Sequence, residues 1–298
     1  MQNKDTFSSY HPMVNFVFFA LVLGCTMFFM HPISLCIFLL NAFGYGIYLK
    51  GWKMVRFSLL YLLPMMVMAA VLNPAFNHEG VTILTYLPSG NPLTLESIVY
   101  GIGAAGMLAA VVLWFSCYTE VMTSDKFVYL FGRMIPSLSL LLSMTLRFVP
   151  KFQAQFRAVR EGQKCVGRDM NDGNILTRMK HIVTIFSIMV TWALENAIET
   201  ADSMKSRGYG LKGRTAFSIY RFDRRDRLAL GWLLFCGIMI LYGMFSGCMK
   251  WQYFPMIKGA DISAAAVCVH MIYFALCSTP VFLNRREDGK WNYLRSGI

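Results

Sequence analysis

Two short segments place an arginine beside a glycine at the end of a stretch that can be helical: Lys164-Cys165-Val166-Gly167-Arg168-Asp169 and Lys205-Ser206-Arg207-Gly208-Tyr209. Glycine suits a left-handed cap residue and arginine suits the negative end of the helix dipole, so ordinary C-capping accounts for both. An arginine also carries five donors in a rigid, permanently charged fork, which suits anchoring in a groove of a partner. Spacing alone leaves both readings open.

Other patterns that could carry chemistry fail on their surroundings. Gly101-Ile102-Gly103-Ala104-Ala105-Gly106 has the spacing of a dinucleotide-binding turn but lies inside an apolar run, not between a strand and a helix. Its neighbourhood of small residues, Gly103, Gly106, Ala109 and Ala110, fits close packing of membrane helices. Gly208-Tyr209-Gly210-Leu211-Lys212-Gly213-Arg214-Thr215 is spaced like a P-loop, with Arg214 where the lysine belongs and a helix where the preceding strand belongs. Nucleotide binding is not expected, so any ATP used must be bound by a separate subunit. The eight cysteines (Cys25, Cys36, Cys117, Cys165, Cys236, Cys248, Cys268, Cys277) show no C-x-x-C pair and no Cys/His cluster. They read as small apolar fillers, with no disulfide, metal or other cofactor expected. No nucleophile and base arrangement stands out, so an enzyme is not expected.

The elements that carry these residues are set by composition. The chain is 56% apolar and 15% charged with a mean hydropathy of +0.48, which points to a membrane. A hydrocarbon core of about 30 Å needs roughly 20 apolar helical residues. Runs near that length occur at 14–30, 32–49, 57–76, 97–118, 228–249 and 262–283. None holds Asp, Glu, Lys or Arg; His270 is the ionisable side chain apart from Cys and Tyr, and reads as a hydrogen-bonded packing residue. Pro64 is the residue expected to interrupt a span. Ion-coupled carriers place carboxylates and broken helices at membrane depth, so these spans disfavour a self-sufficient carrier or channel, the alternative reading. The first 13 residues do not look like a cleaved signal peptide.

Two shorter apolar runs, 134–146 and 182–194, fall below spanning length, and a crossing at 127–149 would strand the seven basic residues of 150–180 on the far side. Both are therefore kept on one side. With an inside N-terminus, 26 of the 28 Lys and Arg face the cytoplasm and only Lys250 and Lys258 lie outside. The basic balance is thus a topology signal and no nucleic-acid partner is expected. Residues 119–227 form a cytoplasmic segment with helices at 150–168 and 174–207, separated by the turn-prone Asn171-Asp172-Gly173. Phe152, Phe156 and Val159 mark one apolar face; Trp192 or Leu194, Ala197, Ile198, Ala201 and Met204 mark the other. Glu195, Glu199 and Asp202 form a polar stripe opposite. The loop at 77–96, with Pro88, Gly90 and Pro92, carries no Lys or Arg.

At these residues the chain resembles the transmembrane T components of energy-coupling factor (ECF) transporters, including the cobalt-transport type. The likeness runs through His11-Pro12, Leu146-Arg147-Phe148-Val149-Pro150, Gln163-Lys164 and Ser206-Arg207-Gly208-Tyr209. The resemblance implies two Arg-centred tripeptides, typically Ala-Arg-Gly or Ala-Arg-Ser, that end crossed coupling helices and dock into two cytosolic ATPases. Ser206-Arg207-Gly208 fits. The first site departs: aligning Asp169, Gly173 and Asn174 puts Cys165-Val166-Gly167 in the tripeptide's place, with Arg168 following Gly167. The expectation is an all-α membrane protein with about six spans and a cytoplasmic coupling module of two long helices, divided as 1–118, 119–227 and 228–298. It would sit in the cell membrane with both termini cytoplasmic. Its implied partners are two ABC ATPase subunits and a membrane-embedded substrate-binding S component for a vitamin or metal ion, within the lipid bilayer.

Overall fold

Histidine-proline pairs set where the first two long helices begin. Proline is tolerated in a helix's first turn, where its missing N–H costs nothing. The preceding histidine supplies the cap: His11 Nδ1 accepts from Met13 N at 3.2 Å and His31 Nδ1 from Ile33 N at 3.3 Å. The computed structural model describes residues 5–86, 92–132, 136–169, 174–211, 220–247, 249–259 and 263–296. In chain order the helices are α1 (Pro12–Phe28), α2 (Pro32–Lys50), α3 (Trp52–Phe57), α4 (Leu63–Phe76), α5 (Leu95–Val121), α6 (Ser124–Gly132), α7 (Pro136–Cys165), α8 (Ile175–Ser206), α9 (Arg224–Phe245) and α10 (Ala264–Ser296). A π-helical turn, Ser58–Leu62, joins α3 to α4 just before Pro64, and Pro74 and Pro280 lie inside helices as well. Pro64 is thus not alone in the spans. Two small antiparallel hairpins, β1 (Ile83–Tyr86) with β2 (Pro92–Thr94) and β3 (Trp251–Gln252) with β4 (Lys258–Gly259), occupy connecting segments.

The chain divides into two compact units. The first comprises Met1–Phe127 with Tyr220–Ile298. Its core is aromatic: Phe7, Phe18, Phe19, Phe38, Tyr45, Trp114 and Tyr273 are buried. Their rings meet mostly edge to face, as at Phe7–Phe18 (5.1 Å) and Phe18–Trp114 (5.6 Å). Trp114 Nε1 donates to the Phe38 carbonyl at 3.3 Å, so its one donor is met inside the core. Within the glycine-rich stretch of α5, a Cβ at Gly101 would sit 2.9 Å from the Ala70 carbonyl, so close packing against α4 rests on Gly101. Ala109 and Ala110 are buried as expected, Gly103 faces the Tyr253 hydroxyl, and Gly106 faces open space.

Phe7 enters this core on a short turn held by polar contacts. Asp5 accepts from Tyr45 Oη (2.9 Å) and from Asn284, whose own carbonyl oxygen accepts from Phe7 N at 3.1 Å. Lys126, 6% exposed, donates to Ser8 O (2.6 Å), Ser8 Oγ (3.0 Å) and Val121 O (2.8 Å).

Six described helical segments are long and apolar enough to cross a membrane: α2, Trp52–Phe76, α5, α8, α9 and Ala264–Gly289 of α10. The chain is an all-α membrane protein. Membership of the six differs from the sequence expectation. The run at 14–30 becomes α1, whose 17 residues reach about 25 Å and of which eight are buried. The run at 182–194 is the middle of α8, a continuous helix of 32 residues. Buried free cysteines are Cys25, Cys117, Cys236 and Cys277, whereas Cys36, Cys165 and Cys268 are exposed and fill nothing; Cys248 lies outside the described residues, as do Pro88 and Gly90.

Candidate functional site

The second compact unit, Val128–Ile219, is built on α7 and α8. Their contact centres on Lys151 and Trp192. Phe152 meets the Trp192 ring edge-on at 5.2 Å, and Lys151 lies 5.4 Å from the centre of that ring while donating to Asn196 Oδ1 at 2.5 Å. The exposed Lys151 thus meets both the aromatic face and the amide of α8, a cation–π contact worth about 0.5–1 kcal/mol at such a site. Sequence reasoning named Phe152 and Trp192 but missed Lys151 and Asn196, whose polar side chains gave no periodic signal. The inward face of α8 also differs from expectation. It runs through Ile185 and Met189, both buried, then Trp192, Asn196 and Thr200 to Met204, while Leu194, Ala197, Ile198 and Ala201 are exposed. Steps of four and three residues put the first set on one side of a helix, and the outward apolar set was mistaken for it because periodicity cannot tell a packed stripe from an unpacked one. Glu195, Glu199 and Asp202 are exposed.

Both helices end in the same backbone motif. At α7, Gly167 has φ +77°, its N–H bonds to Lys164 O at 3.0 Å, and Arg168 N–H reaches back to Gln163 O at 2.9 Å. At α8, Gly208 has φ +78°, its N–H bonds to Lys205 O at 3.0 Å, and Tyr209 N–H reaches Met204 O at 3.0 Å. These are two Schellman caps, and they align the sites residue by residue: Cys165 with Ser206, Val166 with Arg207, Gly167 with Gly208, Arg168 with Tyr209. Arg207 therefore holds the last near-helical position (φ −85°, ψ 10°), whereas Arg168 lies beyond the left-handed glycine, where the chain has already turned. Ser206, Arg207, Gly167 and Arg168 are exposed and Gly208 is half-buried. Among the described residues neither guanidinium makes an ion pair; at the first cap the pair is Lys164–Asp169, at 3.8 Å. Both arginines are thus exposed at capped helix ends, without an ion pair among the described residues.

The P-loop-like stretch begins at this second cap: Gly208 and Gly210 have positive φ and follow a helix, while Gly213, Arg214 and Thr215 lie outside the described residues. Asn171-Asp172-Gly173 also lies outside them. Among the described residues no group of three His, Cys, Asp or Glu side chains is placed to hold a metal.

Residues 5–217 match the CbiQ family, cobalt transport protein. The chain belongs to that family. This CbiQ-family chain is also 34% identical over 111 residues to the energy-coupling factor transporter transmembrane protein EcfT of Lacticaseibacillus paracasei, covering 37% of this chain and 40% of that protein. It is 31% identical over 110 residues to the EcfT of Lactobacillus helveticus, covering 36% and 40%. A Mycoplasma pneumoniae protein, the uncharacterized MG181 homolog, is 26% identical over 161 residues, half of this chain and 37% of that one. The chain spans about two fifths of the length of the curated relatives it matches. The resemblance read from the helix-end motifs and the spans is thus that of a CbiQ-family transport protein of the membrane.

Proposed function

We propose that this chain is the coupling subunit of an ECF-type importer. Movement of two cytosolic ABC ATPases is received at the ends of α7 and α8 and passed through the membrane helices to an S component that carries a vitamin or metal ion. The observation that carries this reading is the pair of matched Schellman caps, each presenting an exposed arginine unpaired among the described residues. From Lys151 to the end of α7 is about 21 Å, and from Asn196 to the end of α8 about 15 Å, at 1.5 Å per residue. Each helix thus has an arm extending beyond the Lys151–Trp192–Asn196 lock, and a push on the cap moves a rigid lever. ATP and substrate are handled by the partners, and both termini and residues 119–227 face the cytoplasm with them.

The test separates a cap from an anchor. An arginine that only complements the helix dipole contributes about 0.3–1 kcal/mol, whereas a buried interface anchor contributes on the order of 2 kcal/mol or more. We expect Arg207→Glu to abolish uptake and ATPase co-purification while the protein still reaches the membrane. Arg207→Lys gives an intermediate loss, because an ammonium cannot reproduce the fork. Arg168→Glu gives the weaker defect, its arginine lying past the turn. Wild-type uptake by Arg207→Glu on membrane-normalised protein would reduce that arginine to a helix cap. The purified chain alone should hydrolyse no ATP.

A further inference from the structure

The cap of α2 differs from that of α1 in what surrounds it. His31 is 7% exposed and its ring is wedged between Trp251 of β3 (5.1 Å, 75°) and His270 of α10 (4.8 Å, 61°). Tyr253, following β3, donates to the carbonyl of Met30 at 2.6 Å and closes the same turn from another side. Hydrogen bonding fixes where the protons are. A carbonyl only accepts, so His270 Nδ1, 2.7 Å from Ala266 O, carries its ring's hydrogen, and His270 Nε2 is a bare acceptor, buried without a partner. His31 Nδ1 accepts from Ile33 N, so the proton of the neutral His31 ring is on Nε2. A His31 metal bond through Nε2 is excluded in this arrangement, since both of its nitrogens are then committed.

We propose that the α1–α2 turn is an acid-sensitive latch, in which protonation of His31 removes the cap of α2 and releases the turn from Trp251 and His270. The added proton can only go to Nδ1, which turns the cap acceptor into a donor facing the Ile33 N–H. Pro32 has no N–H with which to re-form the cap, and the new charge lies at the positive end of the α2 dipole. It also lies against a second histidine, the titratable group acting on it from α10; the Tyr253 hydroxyl is the titratable group beside it from the β3 segment, and no carboxylate compensates among the described residues. His11, by contrast, caps α1 with its backbone N–H bonded to the carboxylate of the buried Asp226. Burial, and next the His270 ring, hold the His31 pKa below the ordinary histidine value, as the geometry requires. The cap is therefore complete above the ordinary histidine pKa of about 6.5 and is lost as pH falls below it toward the depressed value.

The experiment is the thermal unfolding midpoint of the purified full chain, in detergent, from pH 8 to pH 5. Wild type should lose several degrees on acidification. His31→Asn keeps a capping oxygen that does not titrate, and should lose markedly less; His11→Asn should behave as wild type. An acid-induced drop in His31→Asn as large as in wild type, or no drop in wild type, overturns the latch. Where His31→Asn does not fold, His270→Gln decides: without the second imidazole against it the folded His31 pKa moves back toward its ordinary value, so the acid-induced loss of midpoint should shrink, and a loss as large as in wild type overturns the latch equally.

Discussion

Gly167 and Gly208 hold left-handed backbone that an L side chain enters at a cost of about 1–2 kcal/mol. A Cβ at Gly167 would meet nothing within 4 Å, and one at Gly208 would meet the flexible tip of Leu211 at 3.1 Å. The penalty at both is therefore conformational and not steric. We expect Gly167→Ala and Gly208→Ala each to fray the last turn of its helix, read as faster hydrogen exchange at residues 163–168 and 204–209 respectively. Asparagine, which tolerates the left-handed region, should restore most of the protection. Equal exchange in Gly and Ala forms would remove the cap from the argument. The sequence carried the arginine–glycine pairs and, through the resemblance, the matching of Cys165-Val166-Gly167 with Ser206-Arg207-Gly208; what it left open was how Arg168 is placed. A two-residue offset means a rotation of about 200° on a continuing helix. Here the helix ends at Cys165, so Arg168 is placed by the turn and not by helical rotation. That distinction lives in φ at one glycine.

At the scale of elements, Lys126 ties the Phe7 turn to the corner between α5 and α6. Burial pushes its pKa down to about 8, with Asp5 opposing from the other side. Below pH 8 the folded state holds a buried ammonium; between 8 and its ordinary value near 10.5 the unfolded chain binds more protons, so stability should rise with pH across that window. Lys126→Met should flatten that rise. It should also leave the acceptors at Ser8 and Val121 without a donor, at a cost of about 1–3 kcal/mol, measured as a lower unfolding midpoint at pH 7. A Lys126→Met curve with the wild-type slope from pH 8 to 10 would assign the dependence to other groups. This tie was not legible beforehand, because it joins residues far apart in sequence through a single side chain. Helix α5, by contrast, was readable from its uncharged run, and so was the existence of α7 and α8. What was misread on α8 was its face. Leu194 and Ile198 are as apolar as Ile185 and Met189, and only the tertiary contact through Trp192 and Asn196 decides which set is covered.

At the scale of the whole molecule, the proposed coupling requires that the ends of α7 and α8 lie on one side of the membrane, and α8 is itself long and apolar enough to cross it. In the proposed arrangement α8 does not cross, and charge placement supports that reading. Between Lys180 and Glu195 lie 14 residues without a charge, about 21 Å of helix against a hydrocarbon core of about 30 Å, so a spanning α8 would carry Arg178, Lys180 or Glu195 into lipid. A crossing would also put Lys205 and Arg207 opposite Lys151, Arg157, Arg160 and Lys164, dividing a basic cluster that otherwise lies on one side. We therefore expect Cys165, which is exposed, and a cysteine placed at Lys205 to react with a membrane-impermeant thiol reagent from the same side. The background would replace Cys36 and Cys268, which with Cys165 are the exposed cysteines among the described residues, and Cys248 as well. A cysteine at the exposed Val81, in the segment leading into β1, should react from the opposite side. Labels at 165 and 205 that react from opposite sides would make α8 a span and would separate the two capped arginines by a bilayer, leaving no common face on which two ATPases could act.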